Sequence, residues 1–286
     1  VPEWPSEFFL LNLAVTGGNA RLVRSAATGT IVDDDGSVQY KMPIVLSGYT
    51  GSETLINFPA LITLREGDGG FSYGQMGNTN GWDLRFLDAD EKEELAYEID
   101  WWDRSGTSYV WVRIPRLSGT NTMIWAVWGD STVTTPPVYS TNGAVWSEGY
   151  LTVHHFNPPV GGIYRDSSPR GFHGVNEACK VSAGAIGFGL DLNGPTNNVN
   201  LTGLASTEQS FTFEMWIRTP NLNVNRYLFD ALSGRHVVSV NQPTLGALGY
   251  CDAAWRYFTT PPLNNGEWHH VVVVTDRDAL RTYSYV

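Results

Sequence analysis

Charge is scarce in this chain. Only 16% of its 286 residues are Asp, Glu, Lys or Arg, against about a quarter in an ordinary globular domain. Long amphipathic helices need Glu and Lys on their outer faces, so the shortage argues against a helix-rich architecture. Basic residues are the scarcer kind, 18 against 29 acidic ones, for a net charge of −11. Such a surface repels phosphate backbones, which excludes nucleic acid as a partner, and it disfavours anionic membranes. Calcium and neutral sugars stay compatible. Cysteine is nearly absent. Cys179 and Cys251 are too few for a disulfide-dense scaffold, and no histidines stand at zinc-finger spacing around them. They form either one structural disulfide or two buried thiols. No run approaches the roughly 20 apolar residues of a membrane-spanning helix, so no membrane insertion is expected. The opening Val1-Pro2-Glu3-Trp4 carries neither Met nor a signal peptide and reads as an excerpt from a longer exported chain.

What is present is a strand-forming composition. Hydrophobic residues reach 42%, punctuated by 30 Gly and 15 Pro, the profile of many short strands joined by tight turns. The apolar run SEFFLLNLAV, the turn Gly17-Gly18-Asn19 and the stretch ending at Asp33-Asp34-Asp35-Gly36 predict a hairpin followed by an acidic linker. Strands are then predicted in QYKMPIVL, FPALITL, GWDLRFLD, LAYEIDWW, SYVWVRIP and NTMIWAVWGD. Alternation is clearest in SYVWVRIP: Val110, Val112 and Ile114 point to a core, and Tyr109, Trp111 and Arg113 point away from it. Beyond TTPPVYSTNG come GYLTVHHF, GFGLDLNG, NVNLTG, SFTFEMWIRT, RYLFDAL, HVVSV, LGALGY, RYFTT, EWHHVVVVTD and LRTYSYV, with Asn- and Gly-rich turns between them. The expected fold is all-β, a tandem of antiparallel β-sandwich modules.

Three resemblances follow the same order. EFFLLNLAVTGGNARLVRSAATGTIVDDDG resembles the end of a Calx-β domain, with its Phe-rich strand, its A-T-G-T-I strand and its closing aspartates. FPALITL, GWDLRFLDAD, LAYEIDWWD, YVWVRIPRLSG and TNTMIWAVWGD resemble the domain-of-unknown-function family two-three-four-one. The stretch from Asp166 through Ser167-Ser168-Pro169 to Gly174, with GFGLDLNGPTNNVNL, SFTFEMWIRTP and GEWHHVVVVTD, resembles a laminin-G-like, concanavalin-like jelly roll. The implied modules are residues 1–36, 37–145 and 146–286. Calx-β resemblance implies calcium at Asp33, Asp34 and Asp35, in a set completed by acids from earlier loops. A solvated acidic linker is the competing account of the same residues. The jelly-roll resemblance implies a two-sheet sandwich with a glycan or calcium site on a loop rim. In this chain that loop reads Gly194-Pro195-Thr196-Asn197-Asn198, so Asn197 and Asn198 are its expected ligand contacts. In a secreted jelly roll, a Cys179–Cys251 bridge would contribute about 4 kcal/mol through chain entropy.

Glu98-Ile99-Asp100 is the first suspect for chemistry. Jelly-roll glucanases of glycoside hydrolase family sixteen carry Glu-x-Asp followed by a second Glu on one strand face, because retaining hydrolysis needs two carboxyls about 5 Å apart. Here Trp101-Trp102-Asp103 follows, and a regular strand turns Asp103 to the opposite face. Hydrolase chemistry is therefore the least favoured reading. His154-His155 and His269-His270 cannot chelate one ion as pairs, since neighbours on a strand face opposite ways. Packing in a sandwich core is the expected fate of Trp268 and one His beside it. Trp111, flanked by Tyr109 and Arg113, is the expected exposed platform for a sugar or a partner protein. The expected function is a non-catalytic extracellular or cell-surface array for adhesion or glycan binding. The alternatives are a structural spacer or assembly unit and a glycan-active enzyme. Partners would be a glycan, a surface protein, or neighbouring modules and copies. The last would pair through open strand edges at Phe8–Val15 and Thr282–Val286.

Overall fold

The computed structural model describes residues 7–12, 26–31, 40–147, 149–194, 196–201, 203–204, 210–220, 226–231, 236–241, 244–252, 254–276, 278–279 and 281–286. Among these residues the regular structure is strand, apart from five single turns of 3-10 helix. The all-β expectation holds. Contacts divide the chain into two compact units: Val1–His155 with Asp166–Gly171, and Phe156–Arg165 with Phe172–Val286.

The first unit opens with β1 (Glu7–Asn12) and β2 (Ala26–Ile31), an antiparallel hairpin with Glu7 opposite Ile31. The aspartates at 33–35 lie outside the described residues. A sandwich follows, built from β3 (Tyr40–Leu46), β4 (Leu55–Leu64), β5 (Arg85–Leu87), β6 (Tyr97–Trp101), β7 (Ser108–Leu117) and β8 (Thr122–Trp128). Its sheets run β3-β8-β5 and β4-β7-β6. Alternation decides which side chains meet: Val110, Val112 and Ile114 of β7, Ile62 and Leu64 of β4, and Tyr97 of β6 face Met42, Phe86, Ile124, Ala126 and Trp128 of the other sheet. Phe71 sets its ring edge-on to both Tyr73 and Trp128, an arrangement that adds to area burial. Asp83 is buried and accepts backbone N–H groups from Gly77, Asn78 and Gly129, so its charge is satisfied by fixed donors.

The second unit holds β9 (Ile163–Tyr164), β10 (Gly174–Glu177), β11 (Lys180–Ala183), β12 (Phe188–Asp191), β13 (Asn198–Leu201), β14 (Phe211–Arg218), β15 (Arg226–Ala231), β16 (His236–Val240), β17 (Leu248–Cys251), β18 (Trp255–Tyr257), β19 (Trp268–Asp276) and β20 (Arg281–Tyr285). Its two larger sheets run β14-β19-β20 and β15-β16-β17-β18; smaller ones run β13-β10-β9 and β11-β12. Ile217, Val271 and Val273 pack against Val238, Val240, Leu248 and Tyr250, with Leu263 filling in from a loop.

Two expectations fail here. GYLTVHHF is not a strand. Val153 donates its N–H to the Asp166 carboxylate and accepts at its carbonyl from Ser167, so a loop occupies the groups a ladder would use. Phe156 then takes a left-handed φ of 57° and turns the chain away. The disulfide is absent as well: Cys179 and Cys251 are free. The Cys179 thiol is turned into its own loop, where Sγ donates to the Asn198 carbonyl at 3.2 Å and burial pushes the thiol pKa up. Cys251 instead belongs to the ladder of β17, between Val237 and Trp255.

Candidate functional site

In the first unit β7 faces as alternation predicts, but its outer side is not open. Trp111 points away from the core and meets a cover formed by the 3-10 turn Ala144–Trp146, His155 and the returning segment Asp166–Gly171. The Trp111 and His155 rings lie nearly parallel, 17° apart with centroids at 5.8 Å, and Trp146 meets Trp111 edge-on at 5.2 Å. Arg113 donates to the Ala144 carbonyl at 3.5 Å. The exposed sugar platform expected at Tyr109, Trp111 and Arg113 is thus corrected. Half-buried, with His155 along it and Trp146 edge-on, the Trp111 ring lies under the cover and is not an exposed platform.

Beneath this cover sit the two carboxylates of β6. Glu98 alternates to the face opposite Tyr97 and Ile99, and Asp100, at an irregularity in the β6–β7 register, meets the outward Trp111 as well; the cover closes over them, with side chains 14% and 4% exposed and that of His155 11%. One imidazole nitrogen of His155 lies 3.5 Å from an Asp100 oxygen and the other 3.7 Å from a Glu98 oxygen. Only the doubly protonated ring presents an N–H to both. Asp100 also accepts from the Trp111 indole at 3.2 Å. Glu98 accepts from the Trp146 indole and from the Ser167 hydroxyl, both at 2.6 Å. Burial alone would push the Glu98 carboxyl up, but His155, Ser167 and Trp146 outweigh it and hold the carboxyl below its ordinary value. Burial likewise pushes His155 down, and the two carboxylates outweigh it, so the imidazole is raised.

The arrangement is a clasp. Both Glu98 oxygens accept short hydrogen bonds, one from Trp146 in the 3-10 turn and one from Ser167 just after the excursion Phe156–Arg165, and His155, the residue before the excursion, adds its charge. Asp166 locks the returning segment by accepting from Val153 N, Ser168 N and the Ser168 hydroxyl, each at 2.9 Å. Gly143 makes the fit possible. It has φ 83°, and a Cβ there would come within 2.5 Å of the Pro169 nitrogen. Sequence reasoning singles out Glu98, Asp100 and the His154-His155 pair, but separately, because no spacing connects residues joined by an irregular cover.

In the second unit the expected contacts Asn197 and Asn198 brace their own turn. Asn197 donates to the Ala178 carbonyl at 2.6 Å and accepts from Gly194 N, while Asn198 donates to the Thr196 carbonyl at 3.2 Å. His269 donates its Nε2–H to the Asn265 amide oxygen at 2.9 Å. His270 lies beside Trp216, ring centroids 5.1 Å apart, on the outer side of the β14-β19-β20 sheet. Trp216 is 46% exposed there, and Tyr283 and Tyr285 of β20 are exposed too. None of Trp268, His269 and His270 is buried, which corrects the expectation that Trp268 and a histidine fill the core.

At the edge of the other sheet there is a hollow of ≈ 330 Å³ between the β16–β17 turn and the segment after β18. Tyr257, 49% exposed, borders it, and its ring lies within 5° of parallel to that of Trp255 with centroids 6.1 Å apart. Both walls are tied down. Asn241 accepts from Gly246 N at 2.7 Å, Leu263 N donates to the Gly246 carbonyl at 3.0 Å, and Phe258 N donates to the Leu248 carbonyl at 3.1 Å. Gly246, at φ 77°, has no room for a side chain: a Cβ would meet the Asn264 amide oxygen at 2.7 Å. The Thr260 hydroxyl in this lining is buried and has no hydrogen-bond partner. Among the described residues that line the hollow there is no Asp, Glu, Lys, Arg or His.

Among the described residues no group of His, Cys, Asp or Glu has the geometry of a metal site, and no helix is long and apolar enough to cross a membrane. No curated protein and no solved structure matches this chain. Two family models match parts of it. Residues 80–154 match a domain of unknown function, DUF2341, and residues 193–284 match the concanavalin A-like lectin/glucanases superfamily, under the heading Laminin_G_3.

Proposed function

We propose that this chain belongs to an exported, non-catalytic array in which the second unit binds glycan and serves adhesion at the cell surface. The observation that carries the reading is a concanavalin-like sandwich that turns Tyr257 and Tyr285 outward, where its core has no use for them. Flat aromatic faces stack on the apolar faces of sugars, and a rigid sheet holds the rings in place at little entropic cost. The engagement of Glu98 and Asp100 in the clasp supports a non-catalytic first unit, since neither carboxylate is placed against an open cleft. In this reading β1 and β2 are the closing strands of a Calx-β domain, with Asp33, Asp34 and Asp35 as calcium ligands at the joint. Screening the whole chain on an array of neutral, amino and acidic glycans tests the proposal. Retention of at least one glycan class is expected; none retained would remove it.

The outer side of the β14-β19-β20 sheet favours a second reading, assembly with further copies of the chain. Trp216, Tyr283 and Tyr285 surround half-buried Val272 and Val274, and aromatic-rich faces of this kind are enriched at protein interfaces. Sedimentation of the chain and of Trp216→Ser separates the two readings. Self-association that the substitution abolishes would support assembly.

A further inference from the structure

We infer that the hollow between the β16–β17 turn and the segment after β18 is the glycan site, and that it takes the terminal ring of a neutral sugar chain. The inference rests on the reading just proposed and specifies its place and ligand class.

Three independent features meet there. First, the space suits one ring: ≈ 330 Å³ is at the small end of ligand pockets, which span about 300–1,000 Å³. Second, the lining has the two halves that a pyranose needs. Tyr257 offers a ring whose tilt is set by its parallel neighbour Trp255, while Leu245 and Phe258 add apolar surface. Thr244 and Thr259, both exposed in the lining, supply hydroxyls that a sugar can bond. Third, the walls are preorganised: the Asn241–Gly246 and Gly246–Leu263 hydrogen bonds and the crowded Gly246 leave little ordering to be done on binding.

Charge selects the ligand class. With no cation among the described lining residues and a chain of net charge −11, a sialylated or sulfated ring would find repulsion and no counter-ion. A neutral ring loses nothing.

The experiment uses the full chain on an array of neutral oligosaccharides ending in glucose, galactose, mannose, xylose or N-acetylglucosamine, with sialylated and sulfated glycans alongside. The best neutral probe is then titrated by calorimetry against Tyr257→Ala, Thr259→Val and Trp216→Ala. Expected are a loss of tenfold or more in affinity for Tyr257→Ala, about tenfold for Thr259→Val, and wild-type affinity for Trp216→Ala. Thr259 is exposed, so the thermal midpoint of Thr259→Val stays close to the wild-type value. Neutral-glycan binding that survives both hollow substitutions, or falls only with Trp216→Ala, overturns the site and leaves the glycan-binding reading standing. Binding confined to acidic glycans overturns the ligand class in the same way. No binding to any glycan overturns both.

Discussion

At the scale of single residues, His155 carries the most. It faces Glu98 and Asp100 on β6, the Trp111 ring on β7 and the Trp146 ring on the cover, so its positive charge sits between two carboxylates and against aromatic faces. Removing it in His155→Ala leaves two buried carboxylates facing each other without a cation. Urea unfolding should report a loss of about 3–5 kcal/mol, the range for breaking one side of a buried ion pair. The pH dependence has a definite sign. His155 is raised on folding, so its contribution is complete below about pH 6.5, its unfolded value, and disappears as pH climbs through the raised folded value. Glu98 is lowered, so its contribution is complete above about pH 4.3 and disappears as pH falls through the lowered folded value. The clasp is tightest in the weakly acidic window between them. Thermal melts from pH 5 to pH 9, on the order of a unit apart, should show wild type losing more than His155→Gln on the alkaline limb. Parallel curves would remove His155 from the account.

At the scale of elements, the strands are legible in the sequence and the cover is not. Period-two alternation with branched residues inward makes β7 unmistakable, and Val110, Val112 and Ile114 alone fix which of its faces is the outer one. What lies on that outer face cannot be read, because the cover, Ala144–Trp146, His155 and Asp166–Gly171, forms no strand and holds on through side chains: Trp146, His155, Asp166 and Ser167. An aromatic flanked by inward valines reads as exposed whether or not a loop later settles on it. The same limit hides the hollow at Tyr257, whose walls are two loops brought together by Gly246 and Leu263 rather than by any motif. The test of the cover as an element is Gly143→Ala. A left-handed φ costs an alanine about 1–2 kcal/mol, and the Pro169 backbone stands where its Cβ must go. Equilibrium unfolding should register at least that loss. Wild-type stability would mean that the returning segment does not rest on Gly143.

At the scale of the whole molecule, each unit owns a closed core: Trp128 and its neighbours in the first, Leu248 and Leu263 in the second. Calorimetry should therefore resolve two transitions. Trp128→Ala should lower one by about 3–5 kcal/mol and Leu248→Ala the other by about 2–5 kcal/mol. If either substitution moves both transitions equally, the cores do not melt as separate units. The split between a family of unknown function over residues 80–154 and a lectin-like superfamily over 193–284 follows the same division.

The path of the chain has a mechanical consequence. It leaves the first unit after His155, re-enters it at Asp166, and leaves again after Gly171. A protease that cuts once at the first exit does not release the second unit, because that fragment still carries Asp166–Gly171 seated in the clasp. Under tension the order is the same: the Glu98–Ser167 bond and the Asp166 hydrogen bonds must shear before the cut ends can separate. The excursion Phe156–Arg165 is therefore stitched to the first unit at both of its ends.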